Sequence, residues 1–93
     1  MSITVQATNR PQLSRMVRLE WDSVRESHVL LAPEGVLVLN QTGATILRLC
    51  DGERTVVEIV EELRREYDRV AGDEVRDFLG RLAAKRWVEL GDG

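Results

Sequence analysis

The sequence predicts an α+β domain in which a three-stranded antiparallel sheet is followed by three helices. A change of hydrophobic period at Asn40 is the first reason. Before it, apolar residues alternate or run together, as in strands, and after it they recur at three- and four-residue steps, as in helices. The second reason is Pro33-Glu34-Gly35, a turn signal between two apolar runs that indicates a β-hairpin.

Length and composition favour one small globular unit. The chain has 93 residues, of which 43% are hydrophobic and 4% aromatic, so its core must be built from aliphatic side chains. Residues 1–12 are polar and aperiodic, and we expect them to form a flexible N-terminal tail. Residues 13–90 then form the single domain.

The strands are expected in the first 40 residues. Val17, Leu19 and Trp21 alternate with charged residues and predict the first strand. Residues 28–31 and 36–39 are the second and third strands, joined by the Pro-Glu-Gly turn. Neither of these two runs has a visibly polar face. Other elements must therefore bury both faces of the sheet, or one face remains as an exposed apolar surface.

Two helices follow with recognisable caps. Asn40 is a good N-cap for a short first helix that Gly52 ends. Thr55 and Glu58 have the spacing of a capping box, which begins the second helix.

The third helix is expected to begin at Gly72-Asp73. Asp77 and Arg81 are spaced as an exposed i,i+4 pair on this helix. Residues 87–90 close the chain as a short extended segment. The apolar stripe of the helix consists of Val75, Phe78, Leu79, Leu82 and Ala83.

Charge and cysteine content limit the partners and the compartment. The net charge is −3 and the acidic excess lies after residue 50, which argues against nucleic acid and anionic membrane surfaces as partners. Cys50 is the only cysteine, which suits a reducing compartment, and no apolar run approaches the roughly 20 residues of a membrane helix. We therefore expect a cytoplasmic protein.

The residues that could carry chemistry are few. His28 is interpreted as a polar strand residue rather than a general base, and Cys50 as a small buried side chain. No second soft ligand lies near either residue in the sequence, and the carboxylates of the second helix read as its solvated face. The sequence therefore predicts no catalytic residue, no metal site and no cofactor, and the protein is not expected to be an enzyme.

An open sheet edge is the remaining candidate for function. The third strand can offer unpaired amides and carbonyls to another extended chain. Phe78 and Leu82, flanked by Arg81 and Lys85, could form a groove beside that edge. On periodicity alone, the alternative that these apolar residues simply pack together in the core is favoured.

Several motifs follow one another in unbroken order from about Leu13 to Leu90. They are residues 17–22 (VRLEWD), 29–36 (VLLAPEGV), 39–42 (LNQT) and 46–52 (ILRLCDG), followed by Val75, Phe78, Leu79 and Leu82. Together they resemble the PqqD family, the small peptide-binding proteins of pyrroloquinoline quinone (PQQ) biosynthesis. The sequence departs from the family at Arg86, because members often have glycine just before the terminal tryptophan.

The resemblance implies a winged-helix-like recognition element for ribosomally made peptides. In this family the leader of a precursor peptide adds a strand to the edge of the third strand, beside the third helix. The peptide is then presented to a radical-SAM enzyme that cross-links its Glu and Tyr side chains, and the carrier performs no chemistry. The residues that this implies for peptide binding are Val36, Leu37, Val38, Leu39, Asp77, Phe78, Arg81, Leu82 and Lys85.

Three alternatives stay open. A winged-helix DNA-binding regulatory module has a similar order of elements, although its recognition helix would be acidic here. An exposed edge strand can equally pair with a second copy of the chain, which would give a homodimer. Related modules also serve other modified peptides, so the pathway is less determined than the mode of binding.

Overall fold

The computed structural model describes residues 3–91, so the first two residues of the expected tail lie outside the described part. The described elements are β1 (Arg10–Leu13), β2 (Arg18–Asp22), β3 (Ser27–Ala32), β4 (Gly35–Leu39), α1 (Gln41–Leu49), α2 (Val56–Glu66), α3 (Gly72–Ala84) and β5 (Val88–Gly91). The α+β class, with the sheet β2-β3-β4 and three helices, is confirmed.

The three-stranded sheet is antiparallel throughout, with β3 in the centre. Ala32 pairs with Gly35 across the two-residue turn, and the register continues to His28 opposite Leu39. Leu30 and Leu39 are buried towards the helices, whereas Val36 and Val38, which alternate with the inward residues, remain about half exposed at 53% and 52%. The two-sided apolar character noted in the sequence therefore corresponds to one covered face and one partly open face.

The first two helices begin where their capping residues predict. The Asn40 side chain accepts a hydrogen bond from the Gly43 N–H at 2.7 Å, which satisfies an otherwise unpaired amide of α1. Thr55 and Glu58 form the reciprocal capping box of α2. The end of α1 differs from the expectation: the helix stops at Leu49, and Gly52 lies beyond it with φ of 80°.

The core is aliphatic and lies between the sheet and the helices. A fully buried leucine or valine side chain stabilises a fold by about 1.5–3 kcal/mol, so a few of them account for the cohesion of so small a domain. The largest fully buried apolar side chains are Leu30, Leu47, Val56, Ile59, Leu63 and Leu79. They come from the central strand and from all three helices.

The N-terminal segment packs against the domain, which corrects the expectation of a loose tail for the part that is described. Arg10–Leu13 pairs with Val88–Gly91 as a second, two-stranded antiparallel sheet. Pro11 fits this strand because its carbonyl accepts from the Gly52 N–H at 3.0 Å, away from β5, so its missing N–H costs no ladder bond. Val5 is buried as well, at 7% exposure.

The segment before β1 also contacts α2 and α3. The carbonyl of Asn9 accepts from the Val56 N–H at 2.9 Å, and that of Ala7 from the Val57 N–H at 3.2 Å, at the start of α2. On α3, an added Cβ at Gly80 would lie only 2.9 Å from the carbonyl oxygen of Ile3. Gly80 therefore provides the space in which this segment crosses α3.

The chain leaves α3 through a left-handed residue. Arg86 has φ of 65°; its N–H donates to the Ala83 carbonyl and the Trp87 N–H to the Leu82 carbonyl, both at 2.9 Å. This is the Schellman pattern, which usually has glycine at the left-handed position. The family resemblance predicts glycine at this position. Glycine suits it because a residue without Cβ adopts this φ without strain.

Within residues 3–91, no helix has the length and hydrophobicity needed to cross a membrane.

Candidate functional site

The outer edge of β4 has no partner strand among residues 3–91. β4 pairs with β3 alone, and β5, the last strand of the chain, pairs with β1. The N-terminal segment crosses α3 at Gly80, two residues from Phe78 and so about 200° around the helix. Neither described end of the chain fills the space beside β4.

The register identifies the backbone groups that this edge presents. Ala32 and Gly35 close a two-residue turn, so they form a hydrogen-bonded pair, and hydrogen bonding to β3 recurs at every second residue. Gly35, Leu37 and Leu39 therefore direct their amides and carbonyls to β3. Val36 and Val38 direct theirs away from β3, towards the open edge.

A cleft of about 350 Å³ lies between β4 and α3, next to this edge. Its apolar surface comes from the strand, the first part of α1 and one side of α3. The lining residues are Leu37, Val38, Leu39, Asn40, Thr42, Gly43, Ile46, Arg69, Val70, Ala71, Glu74, Val75, Phe78 and Arg81. The cleft thus combines apolar side chains with polar and charged ones, and it adjoins unpaired backbone groups.

Size does not distinguish this cleft, because the depression between α2 and the start of α3 measures about 420 Å³. That depression is bounded by helices, whose interior backbone groups are already hydrogen bonded to each other. It offers no strand edge along which a peptide backbone could pair. The β4 cleft combines apolar contact with backbone donors and acceptors, which is the combination that strand addition requires.

Five of the nine residues expected at the site line the cleft. Leu37, Val38 and Leu39 contribute from the strand, and Phe78 and Arg81 from α3.

The other four expected residues lie elsewhere. Val36 is on the open edge, but its side chain belongs to the opposite face of the sheet from Leu37. Leu82 is 3% exposed and belongs to the core behind the cleft wall. Lys85 places its Nζ 5.0 Å from the centre of the Trp87 ring, and Asp77 is exposed on α3 without lining the cleft.

Sequence reasoning missed the contribution of the loop before α3 and of the start of α1. Arg69, Val70 and Ala71 reach the cleft from an irregular segment that has no periodicity to interpret. Gly43 was visible as an isolated glycine three residues after a helix cap. A glycine inside a helix usually marks close packing, and that signal could have placed it at the site.

The charges that line the cleft are two arginines and one glutamate, namely Arg69, Arg81 and Glu74. Neither arginine forms a side-chain hydrogen bond or ion pair with another residue of the described chain. In particular, the expected pair between Asp77 and Arg81 is not formed. The cleft therefore carries a positive excess on a protein whose net charge is −3.

The acidic groups with altered pKa lie outside the cleft. Hydrogen bonds from Arg25 lower the pKa of Asp22, and backbone hydrogen bonds from Arg54 and Glu53 lower that of Asp51. The pKa of Glu58 is lowered by the hydrogen bonds of its capping box with Thr55. These carboxylates stabilise turns and a helix end and do not take part in the site.

Cys50 and His28, the two residues considered for chemistry, both pack against other parts of the fold. Burial raises the pKa of the Cys50 thiol to about 12, and its Sγ donates to the Ile46 carbonyl at 3.2 Å. His28 is half-buried on β3 and packs edge-on against Trp21, with ring centres 5.1 Å apart. No group of three or more histidine, cysteine or acidic side chains within residues 3–91 is arranged to hold a metal ion.

Comparison with known proteins identifies relatives over most of the chain. A family profile described as Coenzyme PQQ synthesis protein D (PqqD) matches residues 27–88. A PqqA binding protein of Rahnella aquatilis is 35% identical over 88 residues, which cover 92% of this chain and 93% of that protein.

Two solved structures share the fold. The PqqD truncation of Methylobacterium extorquens PqqCD, a functional stand-alone RiPP recognition element, is 38% identical. It superposes with a TM-score of 0.78 over 91% of this chain and 94% of that one. The heterocyclase TruD is 25% identical, with a TM-score of 0.64, and matches 88% of this chain but only 11% of its own length.

Proposed function

The chain belongs to the PqqD family, and we propose on that premise that it binds the leader of a PqqA-type precursor peptide by strand addition to β4. The bound peptide is presented to a radical-SAM enzyme of PQQ biosynthesis, which cross-links its Glu and Tyr side chains. The protein itself acts as a non-enzymatic peptide chaperone.

The observation that carries this proposal is the unpaired edge of β4 beside a cleft with apolar side chains in its lining. The edge offers two N–H and two C=O groups, those of Val36 and Val38, to an incoming backbone. Each hydrogen bond contributes a net ~0.5–1.5 kcal/mol, whereas ordering a flexible peptide costs about 2–5 kcal/mol. Backbone pairing alone therefore roughly balances the ordering cost, and apolar contacts in the cleft must supply the remaining affinity.

The cleft is suited to supply these contacts. In an added strand, alternate peptide side chains would lie on the face of Leu37 and Leu39 and enter the cleft towards Phe78. The intervening side chains would lie beside Val36 and Val38 on the other face. We expect affinity in the micromolar range or tighter, about −8 kcal/mol or more favourable.

The relatives support the same function. Similar proteins of Rahnella aquatilis and Methylococcus capsulatus are named PqqA binding proteins, and a solved member is described as a stand-alone recognition element. A similar fold also makes up about a tenth of a heterocyclase chain. This supports a role for the fold alongside a catalytic unit.

The proposal is tested by titrating ¹⁵N-labelled protein with the precursor peptide and following the backbone amide resonances. We expect the largest shifts at residues 36–39 and at Phe78 and Arg81. Shifts confined to α2 would contradict the site. Addition of the radical-SAM enzyme should then give cross-linked peptide, detected by mass spectrometry, faster with this protein than without it. Cross-linking in the absence of that enzyme would contradict a chaperone role.

A further inference from the structure

Arg81 is a cation on the cleft wall that has no anionic partner among residues 3–91. It is exposed in α3 and lines the cleft, and it forms no ion pair within 4.0 Å in the described part of the chain. Four other arginines form ion pairs at i,i+3 spacing, as Arg76 does with Asp73 at 2.5 Å. Although Asp77 is one helical turn before Arg81, the two side chains do not meet.

The charged side chains that line the cleft lie at two ends of it. Glu74 lies in the first turn of α3, at the same end of the cleft as Arg69, so the charges at this end are of opposite sign. Arg81 lies seven residues further along α3, which is about 10 Å at 1.5 Å per residue. The far end of the cleft therefore carries a positive charge that forms no ion pair with another described residue, and Phe78 lies between the two ends.

We propose that Arg81 makes the cleft selective for a peptide that has an acidic side chain two residues from the apolar residue that contacts Phe78. This inference rests on the proposed strand addition. Side chains on one face of a strand are about 6.6 Å apart. Phe78 and Arg81 are separated by about 4.5 Å along α3. This is less than the spacing of the peptide side chains, and the long side chain of Arg81 can extend far enough to reach the second of them. The recognised pattern is apolar-x-acidic or its reverse.

The physical reason for the selectivity is charge complementarity in a partly enclosed site. A guanidinium forms two parallel hydrogen bonds with a carboxylate, and these are stronger than hydrogen bonds between neutral groups. Peptide that fills the cleft also displaces water, so salt screens this contact less than a fully exposed pair. A peptide without the carboxylate would bury the Arg81 charge without a partner and bind more weakly.

The test measures the affinity of the precursor peptide for the folded protein and its variants by calorimetry. Arg81→Gln should weaken binding about threefold to tenfold, between the contribution of an exposed ion pair and that of a charge-assisted hydrogen bond. Arg81→Lys should have an intermediate effect, because it keeps the charge without the planar fork. Arg15→Gln removes an exposed arginine that does not line the cleft and should leave the affinity unchanged.

Peptide variants identify the partner of Arg81. Each Asp or Glu of the precursor peptide is replaced in turn by its amide. Replacement at the position that contacts Arg81 should weaken binding to the unmodified protein but not to Arg81→Gln. Lysine at that position should restore the binding that Arg81→Glu loses.

The outcomes separate this inference from the proposed function. If the peptide shifts the β4 amides but Arg81→Gln binds it as tightly as the unmodified protein does, acidic selectivity is refuted and strand addition stands. If no replacement of an acidic peptide residue affects binding to the unmodified protein more than binding to Arg81→Gln, acidic selectivity is likewise refuted and strand addition stands. If the peptide does not bind the unmodified protein at all, both the proposed function and this inference are refuted.

Discussion

The ring of Phe78 lies against Gly43, so that a Cβ atom added at Gly43 would be 3.5 Å from the Phe78 Cζ. The same added atom would be 3.6 Å from Leu39 Cδ2. α1, α3 and β4 therefore meet at this point. Phe78 thus lines the cleft at the place where these three elements come together.

Replacing Phe78 by alanine should remove the main apolar contact of the cleft. The ring is only half-buried, so we expect a loss of stability of about 1–3 kcal/mol, below the range for a fully buried phenylalanine. Peptide affinity should fall about tenfold or more, as expected for the loss of an aromatic anchor. Calorimetric titration of the folded variant measures the loss.

Phe78→Leu is the matched control for this change. It keeps much of the apolar volume and should retain more affinity than Phe78→Ala. If the alanine variant remains folded and binds the peptide as tightly as the unmodified protein, Phe78 is not an anchor.

Proline substitution tests the assignment of the open backbone groups. The Val38 N–H points away from β3, so Val38→Pro should leave the sheet folded, since proline is tolerated on edge strands when its nitrogen faces outwards. The variant loses one hydrogen bond to the peptide, and affinity should fall about threefold to tenfold. Circular dichroism melting and peptide titration provide the two readouts.

Leu37→Pro is the paired control, because its N–H bonds β3 inside the sheet. This variant should be strongly destabilised. If Val38→Pro unfolds and Leu37→Pro does not, the assigned alternation along β4 is reversed.

The left-handed conformation of Arg86 predicts a stabilising substitution. A non-glycine residue at φ of 65° costs roughly 1–2 kcal/mol, and glycine recovers this at an entropic cost of ~0.5–1 kcal/mol in the unfolded chain. Arg86→Gly should therefore stabilise the domain by about 0.5–1 kcal/mol, which for a domain of this size raises the Tm by a few degrees. Thermal unfolding at neutral pH measures the change, and a lower Tm would show that the arginine side chain makes contacts worth more than the strain.

Glu58 should contribute to the pH dependence of stability. Its pKa in the folded protein is lowered from 4.5 by hydrogen bonds with Thr55, so its carboxylate favours folding above the unfolded pKa. That contribution is lost as the pH falls through the folded pKa. The unmodified protein should be more stable than Glu58→Gln at pH 7, and the difference should shrink at pH 3.

Urea denaturation at the two pH values measures this difference. Glu61→Gln, at an exposed position of α2 without a side-chain hydrogen bond to another described residue, is the control. If the free energies of unfolding of the unmodified protein and Glu58→Gln differ by the same amount at both pH values, the role of the capping box is contradicted.

The fold was largely predictable because its main elements are specified locally. Asn40, the pair Thr55 and Glu58, and the Pro33-Glu34 turn each determine a boundary through neighbours a few residues away. The pairing of β1 with β5 was not predictable in this way. Arg10 and Gly91 are opposite each other although nearly the whole chain separates them, and a short segment containing proline has little strand signal of its own.

The site was predictable only in part for a related reason. Residues 36–39 are all apolar, so period two could not show which side chains face the core and which face outwards. Leu82 was expected at the site but is buried, because a helical stripe does not distinguish a core residue from one at the rim of a cleft. Arg69 and Val70 reach the cleft from a loop whose path depends on tertiary packing.

Amide hydrogen exchange with and without the precursor peptide tests the central claim most directly. In the free protein the amides of Leu37 and Leu39 should already be protected by their bonds to β3, and those of Val36 and Val38 should exchange quickly. Saturation with peptide should slow exchange at Val36 and Val38. Unchanged exchange at these two amides in the saturated complex would show that the peptide binds without adding a strand to β4.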